Sequence, residues 1–320
     1  MRIFFVLSGF LITFLLLREG GSNGFISLTN FFIRRALRIL PVYLLFLTVL
    51  ASLQFASLYS DAASSWIGSL TYTRNIIGQG NRATGHLWSL AVEEQFYFAW
   101  PAALVFIGLT NRWRLAVALL SGVIVVSIIA RLVSCGVPGF VCQRLLGPKS
   151  IVLYADSLAI GCIGAYIYTN LEFGNRLLRA GLLYLSLVAL VLSAILVPSD
   201  KILHSVLMTA QGVLILTCLV LSLNAHGTFL FAVLNSRIIV FLGLISYSLY
   251  IWHVLFLSGY MGERIWASVL YDGRVWWMPS IAIAALSYFL FERPVLRLKD
   301  RLQIHPCAAA FPGLRLQSVG

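Results

Sequence analysis

The residues best suited to acid–base chemistry are two adjacent carboxylates, Glu93 and Glu94, at the start of a strongly apolar stretch. A carboxylate held beside a hydroxyl group can act as a general base. Successive positions of a helix point about 100° apart, so only one of the two side chains can face a central cavity squarely. The alternative is that both complement the dipole of the helix's first turn. We interpret Glu93 and Glu94 as catalytic candidates.

Polar and aromatic side chains flank this pair of carboxylates. His86, Trp88 and Ser89 precede the pair, and Tyr97 follows it by about one helical turn. His86 and Glu93 share a helix face if the helix begins early enough. These four side chains are therefore candidates for the lining of a cavity that receives the acceptor of a transferred group.

A second polar stripe lies in an apolar run near residue 250. Ser246, Tyr250 and His253 are separated by four and three positions, so they lie along one helix face. An ionisable group at the centre of a membrane span costs roughly 2.5–3.5 kcal/mol, which makes it a candidate for function. His253 is interpreted as a catalytic candidate or as a hydrogen-bonded structural residue, and its position fits both roles. Ser246 and Tyr250 are candidates for the acceptor cavity.

Three arginines, Arg34, Arg35 and Arg38, follow a pair of phenylalanines near the beginning of the second apolar run. Guanidinium groups bind phosphates in a bidentate manner, which suits an acyl donor that carries a nucleotide. The alternative is that these arginines only anchor the helix at the membrane surface. We interpret them as donor-binding candidates.

Three further positions combine small or polar residues with apolar surroundings. Asp156 lies near the start of a predicted helix, where it either caps the helix dipole or contributes to the cavity. Ser8 and Gly9 interrupt an aromatic and aliphatic helix and permit close packing or the approach of a ligand. Gly161 and Ala165 form a small face of the kind that lets two helices pack closely in a membrane.

The composition indicates the environment in which these residues lie. Of 320 residues, 60% are hydrophobic and 11% are charged, with a mean hydropathy of +0.92. Soluble domains carry about 25% charged residues. The net charge of +12 comes from short basic clusters between apolar runs, which is typical of membrane proteins and argues against nucleic-acid binding. No cysteine pair or histidine cluster with metal-ligand spacing is present.

The chain is therefore predicted to be an all-α, polytopic bundle of about nine transmembrane helices, since roughly 20 apolar residues cross a bilayer. The loops that alternate with these helices differ in arginine and lysine content. The positive-inside rule then makes the C-terminus cytoplasmic, including a loose tail at residues 301–320. The candidate spans are 3–17, 37–57, 92–109, 114–133, 151–169, 180–197, 203–223, 238–258 and 276–291.

Taken together, the sequence resembles the acyltransferase-3 family of membrane O-acyltransferases. Five separate stretches match in family order across residues 1–300. They are FFVLSGFLIT at 4–13, FIRRALRILPVY at 32–43, LWSLAVEEQFY at 87–97, ISYSLYIWH at 245–253, and SY at 287–288 with FERP at 291–294.

The resemblance implies ten transmembrane helices in a bacterial inner membrane. It also implies transfer of an acyl group, commonly acetyl from acetyl-CoA, to a hydroxyl of an extracytoplasmic glycan of the cell envelope. Acyl-CoA would act as a co-substrate and no bound cofactor is expected. The lipid bilayer, acyl-CoA and the acceptor are the expected partners. A glycan transporter or flippase, or an inactive relative with a scaffold role, are the alternative functions.

The sequence departs from the family pattern at its beginning. The family's first helix carries a basic residue followed eleven positions later by a histidine taken as catalytic, and this sequence begins just after that helix. None of its five histidines matches that histidine by motif. Tyr154 replaces an arginine common in relatives. We therefore hypothesise a misplaced start site or a truncated gene, and we expect no acyl transfer if Met1 is the true start.

Overall fold

The computed structural model describes residues 1–58, 60–77, 82–134, 149–170, 176–196, 200–223, 227–257 and 277–301, and its regular elements there are all helical. The α-helices are α1 (Arg2–Asn23), α2 (Leu28–Phe55), α3 (Ala63–Leu70), α4 (Arg82–Gly85), α5 (Leu87–Phe106), α6 (Trp113–Ser134), α7 (Ile151–Asn170), α8 (Arg176–Ile195), α9 (Lys201–Leu223), α10 (Phe229–Leu234), α11 (Arg237–Leu257), α12 (Trp277–Ser287) and α13 (Arg293–Arg301). A π-helix, Tyr288–Glu292, joins α12 to α13.

Each of the nine apolar stretches predicted from the sequence overlaps a helix within the described residues. Within the described residues, α1, α2, α6, α7, α9 and α11 are long and apolar enough to cross a membrane. Part of α8, Gly181–Ile195, is apolar but shorter. Side chains such as Val126, Leu185 and Ile202 point outward and are more than half exposed, as expected for surfaces that face lipid. The prediction of an all-helical membrane bundle is confirmed, whereas the predicted tail lies almost wholly outside the described residues.

Two glycines bring the backbones of α1 and α7 into close contact. A Cβ added to Gly9 would lie 2.1 Å from the carbonyl oxygen of Leu158, and one added to Gly161 would lie 2.2 Å from that of Val6. Each glycine therefore admits the backbone of the other helix, and no larger residue fits at either position. This agrees with the small face expected at Gly161 and with the close packing expected at Gly9.

The turn between α1 and α2 is held by an ion pair. Gly24 ends α1 in the left-handed conformation, with φ of 76°, and Ser27 caps α2 by accepting a hydrogen bond from the backbone of Asn30. The carboxylate of Glu19 accepts hydrogen bonds from the backbone of Ser27 at 3.0 Å and from the guanidinium of Arg34 at 2.8 Å. These contacts fix the direction in which the first turns of α2 leave α1.

The segment between α2 and α5 folds back against both helices. The hydroxyl of Tyr43 donates to the carbonyl of Ser69 at 2.7 Å. The side-chain amide of Gln95 donates to the carbonyl of Tyr72 at 3.1 Å and exchanges hydrogen bonds with Asn75. Because these polar groups satisfy one another inside the bundle, the segment positions the beginning of α5 against α2.

The predicted family stretch at 291–294 includes the end of the π-helix. Glu292 is buried and accepts a hydrogen bond from Ser248 of α11 at 3.0 Å. A π-turn widens the helix by one residue and often marks a position where a side chain must meet a particular partner. Here the π-turn places Glu292 where its carboxylate can bond to Ser248, and this hydrogen bond joins the segment between α12 and α13 to α11.

The glycine contact between α1 and α7 yields a stability prediction. In Gly9→Ala the new Cβ would meet backbone atoms that cannot rotate away, so the helices must separate. We expect the free energy of unfolding in detergent to fall by about 1–3 kcal/mol or more.

Gly122→Ala in α6 is the matched control, because its Cβ meets no described atom within 4 Å. That variant should be neutral or gain up to about 1 kcal/mol from higher helix propensity. Denaturant titration measures both variants, and equal losses in the two would contradict the packing described here.

Candidate active site

A cavity of about 340 Å³, here called the first cavity, lies between α1, α2, α5, α9 and α11. Its walls are mostly apolar, with a few polar groups that converge on one region, which is typical of small-molecule sites. Eight of the residues predicted from the sequence line it: Ser8, Arg35, Arg38, Ser89, Glu93, Tyr97, Ser246 and Tyr250.

Three polar side chains form a hydrogen-bonded chain on the wall of the first cavity. The phenol oxygen of Tyr97 lies 2.9 Å from Oγ of Ser8 and 3.0 Å from Oε2 of Glu93. The phenol carries one proton and donates to one of these atoms at a time. When Tyr97 donates to the carboxylate, the hydroxyl of Ser8 can donate to the phenol oxygen, and a proton path then joins serine to carboxylate.

Two positively charged side chains, Arg35 and Arg38, line the first cavity. The guanidinium of Arg35 lies 4.5 Å from the centre of the Tyr97 ring, a cation–π contact. Neither Arg35 nor Arg38 forms an ion pair with a described residue. Arg34 differs from them, because its guanidinium is paired with Glu19 and does not line the cavity. The structure thus separates the predicted group of three into two cavity arginines and one structural arginine.

The adjacent carboxylates point into different spaces. Glu93 lines the first cavity, whereas Glu94 lines a second cavity of about 230 Å³, which shares Arg35 and Tyr97 with the first. In this second cavity, Oε1 of Glu94 and the hydroxyl of Tyr72 are buried and make no hydrogen bond with described residues. The angle between neighbouring helix positions therefore divides the pair, as expected from the sequence.

The two histidines lie beside the first cavity without lining it. His253 is hydrogen-bonded through Nδ1 to the backbone carbonyl of Tyr250 at 2.6 Å, and its ring meets that of His86 edge-on at 5.4 Å. The hydroxyl of Tyr250 donates to the carbonyl of His86 and contacts Ser89. His253 therefore makes a hydrogen bond of the kind expected for a structural residue, and it is not among the residues that line the first cavity.

Comparison with known proteins gives a match over most of the chain. Residues 1–293 match a family model described as an acyltransferase domain. The chain belongs to the acyltransferase-3 family.

Relatives within this family carry consistent names. A provisionally named O-acetyltransferase of Staphylococcus aureus strain COL is 27% identical over 314 residues, which cover 91% of this chain and 51% of that protein. The O-acetyltransferase OatA of Staphylococcus aureus strain NCTC 8325 is 26% identical over 326 residues, with the same coverage. The chain spans about half the length of the curated relatives it matches. No solved structure gives a significant match.

In this acyltransferase domain Asp156 lies away from the first cavity. It is buried and forms an ion pair with Arg131 of α6 at 2.8 Å, and it accepts a hydrogen bond from Thr209 of α9 at 2.8 Å. Arg131 also donates to the carbonyl of Leu153 at 2.9 Å. The predicted site residue Asp156 therefore joins α6, α7 and α9, and Arg131 is the partner that sequence reasoning did not identify. Its signal was a charged residue near the end of an apolar run.

The remaining predicted residue, Trp88, also lies outside the first cavity. Its ring packs against Tyr154 of α7 at 5.0 Å and against Phe5 of α1 at 6.4 Å. Two residues with notable environments were not singled out from the sequence: Glu19, which holds Arg34, and Tyr72 in the second cavity. The described residues contain no group of three or more histidine, cysteine or acidic side chains that could hold a metal ion.

The buried ion pair predicts a large stability effect. Asp156→Ala leaves the guanidinium of Arg131 without its carboxylate, and removal of one partner of a buried pair costs about 3–5 kcal/mol. Asp200→Ala is the matched control, since that exposed aspartate only caps the start of α9 through the backbone of Leu203 and its loss costs about 1 kcal/mol. Thermal unfolding in detergent compares the two, and a similar loss in both would contradict a structural role for Asp156.

Proposed function

We propose that the protein is a membrane O-acyltransferase that moves an acyl group, acetyl in the simplest case, from a cytoplasmic acyl-CoA to a hydroxyl of an extracytoplasmic cell-envelope glycan or similar acceptor. The observation that carries this proposal is the carboxylate–phenol–hydroxyl chain of Glu93, Tyr97 and Ser8, which shares one cavity with Arg35 and Arg38. Family membership and the names of the O-acetyltransferase relatives support the same reaction class.

The donor end of the site is proposed to be the arginine side of the first cavity. Acyl-CoA carries phosphate groups, and guanidinium groups bind phosphate strongly when no carboxylate in the protein competes for them. Arg35 and Arg38 lie in the first turns of α2, which the positive-inside rule assigns to the cytoplasm. Apolar walls that include Phe10, Leu11 and Leu219 provide a path for the uncharged part of the donor.

The catalytic step needs a base for the proton of the acceptor hydroxyl and a positive group near the developing oxyanion. Glu93 supplies the base, through Tyr97 or directly, because its carboxylate faces the first cavity. The guanidinium of Arg35 lies close enough to the same phenol to stabilise negative charge that develops beside it. The bilayer provides the surrounding apolar phase, and the bacterial plasma membrane is the proposed location.

The different directions of the two carboxylates yield an activity prediction. Glu93→Gln keeps the size of the side chain and removes the base, so we expect kcat for acyl transfer to fall roughly 10²- to 10⁴-fold. Glu94→Gln makes the same chemical change in the second cavity, and we expect a clearly smaller loss. Acetyl transfer from labelled acetyl-CoA in inside-out vesicles measures both. An equal loss in the two variants would contradict Glu93 as the base.

The arginines yield a second prediction, on donor affinity. Arg38→Ala removes a charged hydrogen-bond partner of the donor, worth about 1.5–3 kcal/mol, so KM for acyl-CoA should rise roughly 10- to 100-fold. Arg35→Ala should raise KM to a similar extent and should also lower kcat, because its guanidinium lies beside the ring of Tyr97.

Arg34→Ala should leave KM unchanged and lower stability, because the carboxylate of Glu19 then loses its guanidinium partner and keeps the hydrogen bond from the backbone of Ser27. A rise in KM for Arg34→Ala that equals the other two would contradict the assignment of donor contacts.

The proposed function itself is tested in cells that express the protein. Incorporation of labelled acetyl groups into envelope glycans, lost in Glu93→Gln, is the expected result. Glycan movement across the membrane without acetylation would instead support a transporter. If the glycan is neither moved across the membrane nor acetylated, the result would support a scaffold role.

A further inference from the structure

The hydroxyl groups around the first cavity differ in what they contact. Ser246 donates to the backbone carbonyl of Gly243 at 2.8 Å, and Tyr247 donates to that of Ile39 at 2.8 Å. The hydroxyls of Ser89 and Tyr250 contact each other and the carbonyl of His86. A carbonyl oxygen cannot take the proton of a hydroxyl, so none of these groups is activated by its partner. Among the hydroxyls described around the cavity, only those of Ser8 and Tyr97 belong to the hydrogen-bonded chain that ends at the carboxylate of Glu93.

Of these two hydroxyls, that of Ser8 is better placed to meet a substrate. Tyr97 is almost fully buried, with 4% of its surface exposed, and the guanidinium of Arg35 covers its ring. Ser8 is only partly buried and lines the cavity wall. The backbone of the next residue, Gly9, is pressed against α7, so the position of Ser8 is fixed relative to the bundle. A serine held beside a phenol and a carboxylate has the arrangement of an activated nucleophile.

We propose that Ser8 is a covalent nucleophile that carries the acyl group between donor and acceptor. This inference rests on the proposed function. Oγ of Ser8 attacks the thioester carbonyl of acyl-CoA, its proton passes through Tyr97 to Glu93, and the carbon–sulfur bond breaks. The leaving thiolate takes that proton, which gives free CoA and an ester on Ser8.

In the second step the acceptor hydroxyl attacks the ester carbonyl of acylated Ser8. Glu93 takes the acceptor's proton through Tyr97, the bond from the carbonyl carbon to Oγ breaks, and Ser8 regains its proton. The sum of both steps is acyl-CoA plus alcohol giving ester plus CoA. In the proposed function the donor and the acceptor arrive from opposite sides of the membrane. With a covalent intermediate they need not occupy the cavity of about 340 Å³ at the same time.

The test uses the full chain in detergent with acetyl-CoA labelled in the acetyl group and without any acceptor. Because deacylation then lacks its second substrate, the label should accumulate on the protein to about one per chain and map to the peptide that contains Ser8. Ser8→Ala should abolish labelling. Ser8→Cys should retain it as a thioester that neutral hydroxylamine removes, which distinguishes lost chemistry from lost folding. Ser22→Ala, at the exposed end of the same helix, is the matched control and should label like the wild type.

Three results would overturn the proposal. Label on another residue that persists in Ser8→Ala would assign the nucleophile elsewhere. An unlabelled wild type that still acetylates glycans in cells would show direct transfer, so Ser8 would be excluded while the proposed function stands. If the wild-type protein neither binds CoA nor acetylates glycans, both the proposed function and the role of Ser8 as nucleophile would be contradicted.

Discussion

The close backbone contact between α1 and α7 is the constraint on which the candidate site depends. Gly9 and Gly161 let the two helices approach until each backbone fills the space where a side chain would lie on the other. In a membrane, helix association relies on such packing, because lipid is as apolar as the helix surfaces. The contact fixes the rotation of α1, and this rotation directs Ser8 toward Tyr97 of α5. A hydrogen bond between Ser8 and Tyr97, which are 89 positions apart, thus follows from a contact between two glycines.

Neighbouring residues of the same type take different places in this arrangement. Glu93 and Glu94 line different cavities, and Arg34 is neutralised by Glu19 while Arg35 faces both cavities. The cause in each case is the helical rotation of about 100° per residue. This difference matters in an apolar environment, because burying an ionised side chain without a partner costs free energy. An ionised side chain that is paired, such as Arg34, instead contributes to the structure. The site's chemistry is therefore determined by rotation about the helix axis as much as by residue type.

The fold was largely predictable, since lipid requires every backbone group in a span to bond within its own helix, and long apolar runs identify such helices. The small faces at Gly9 and Gly161 were also visible as a pattern. The partners of individual polar residues were not. The sequence position of Asp156 predicts either a helix cap or a cavity residue, yet its carboxylate meets Arg131, which is 25 positions away, and their pairing depends on how α6 and α7 are rotated. The side chains joined across the first cavity depend equally on tertiary packing, which sequence spacing does not encode.

Whether the first cavity is the site of acyl transfer can be tested by a cryo-electron microscopy structure of the protein in lipid nanodiscs with a non-hydrolysable acetyl-CoA analogue. We expect phosphate density beside Arg35 and Arg38, with the carbonyl of the analogue facing Ser8 and Tyr97. Density for the analogue in the second cavity beside Glu94, or outside the bundle formed by α1, α2, α5 and α11, would contradict this expectation.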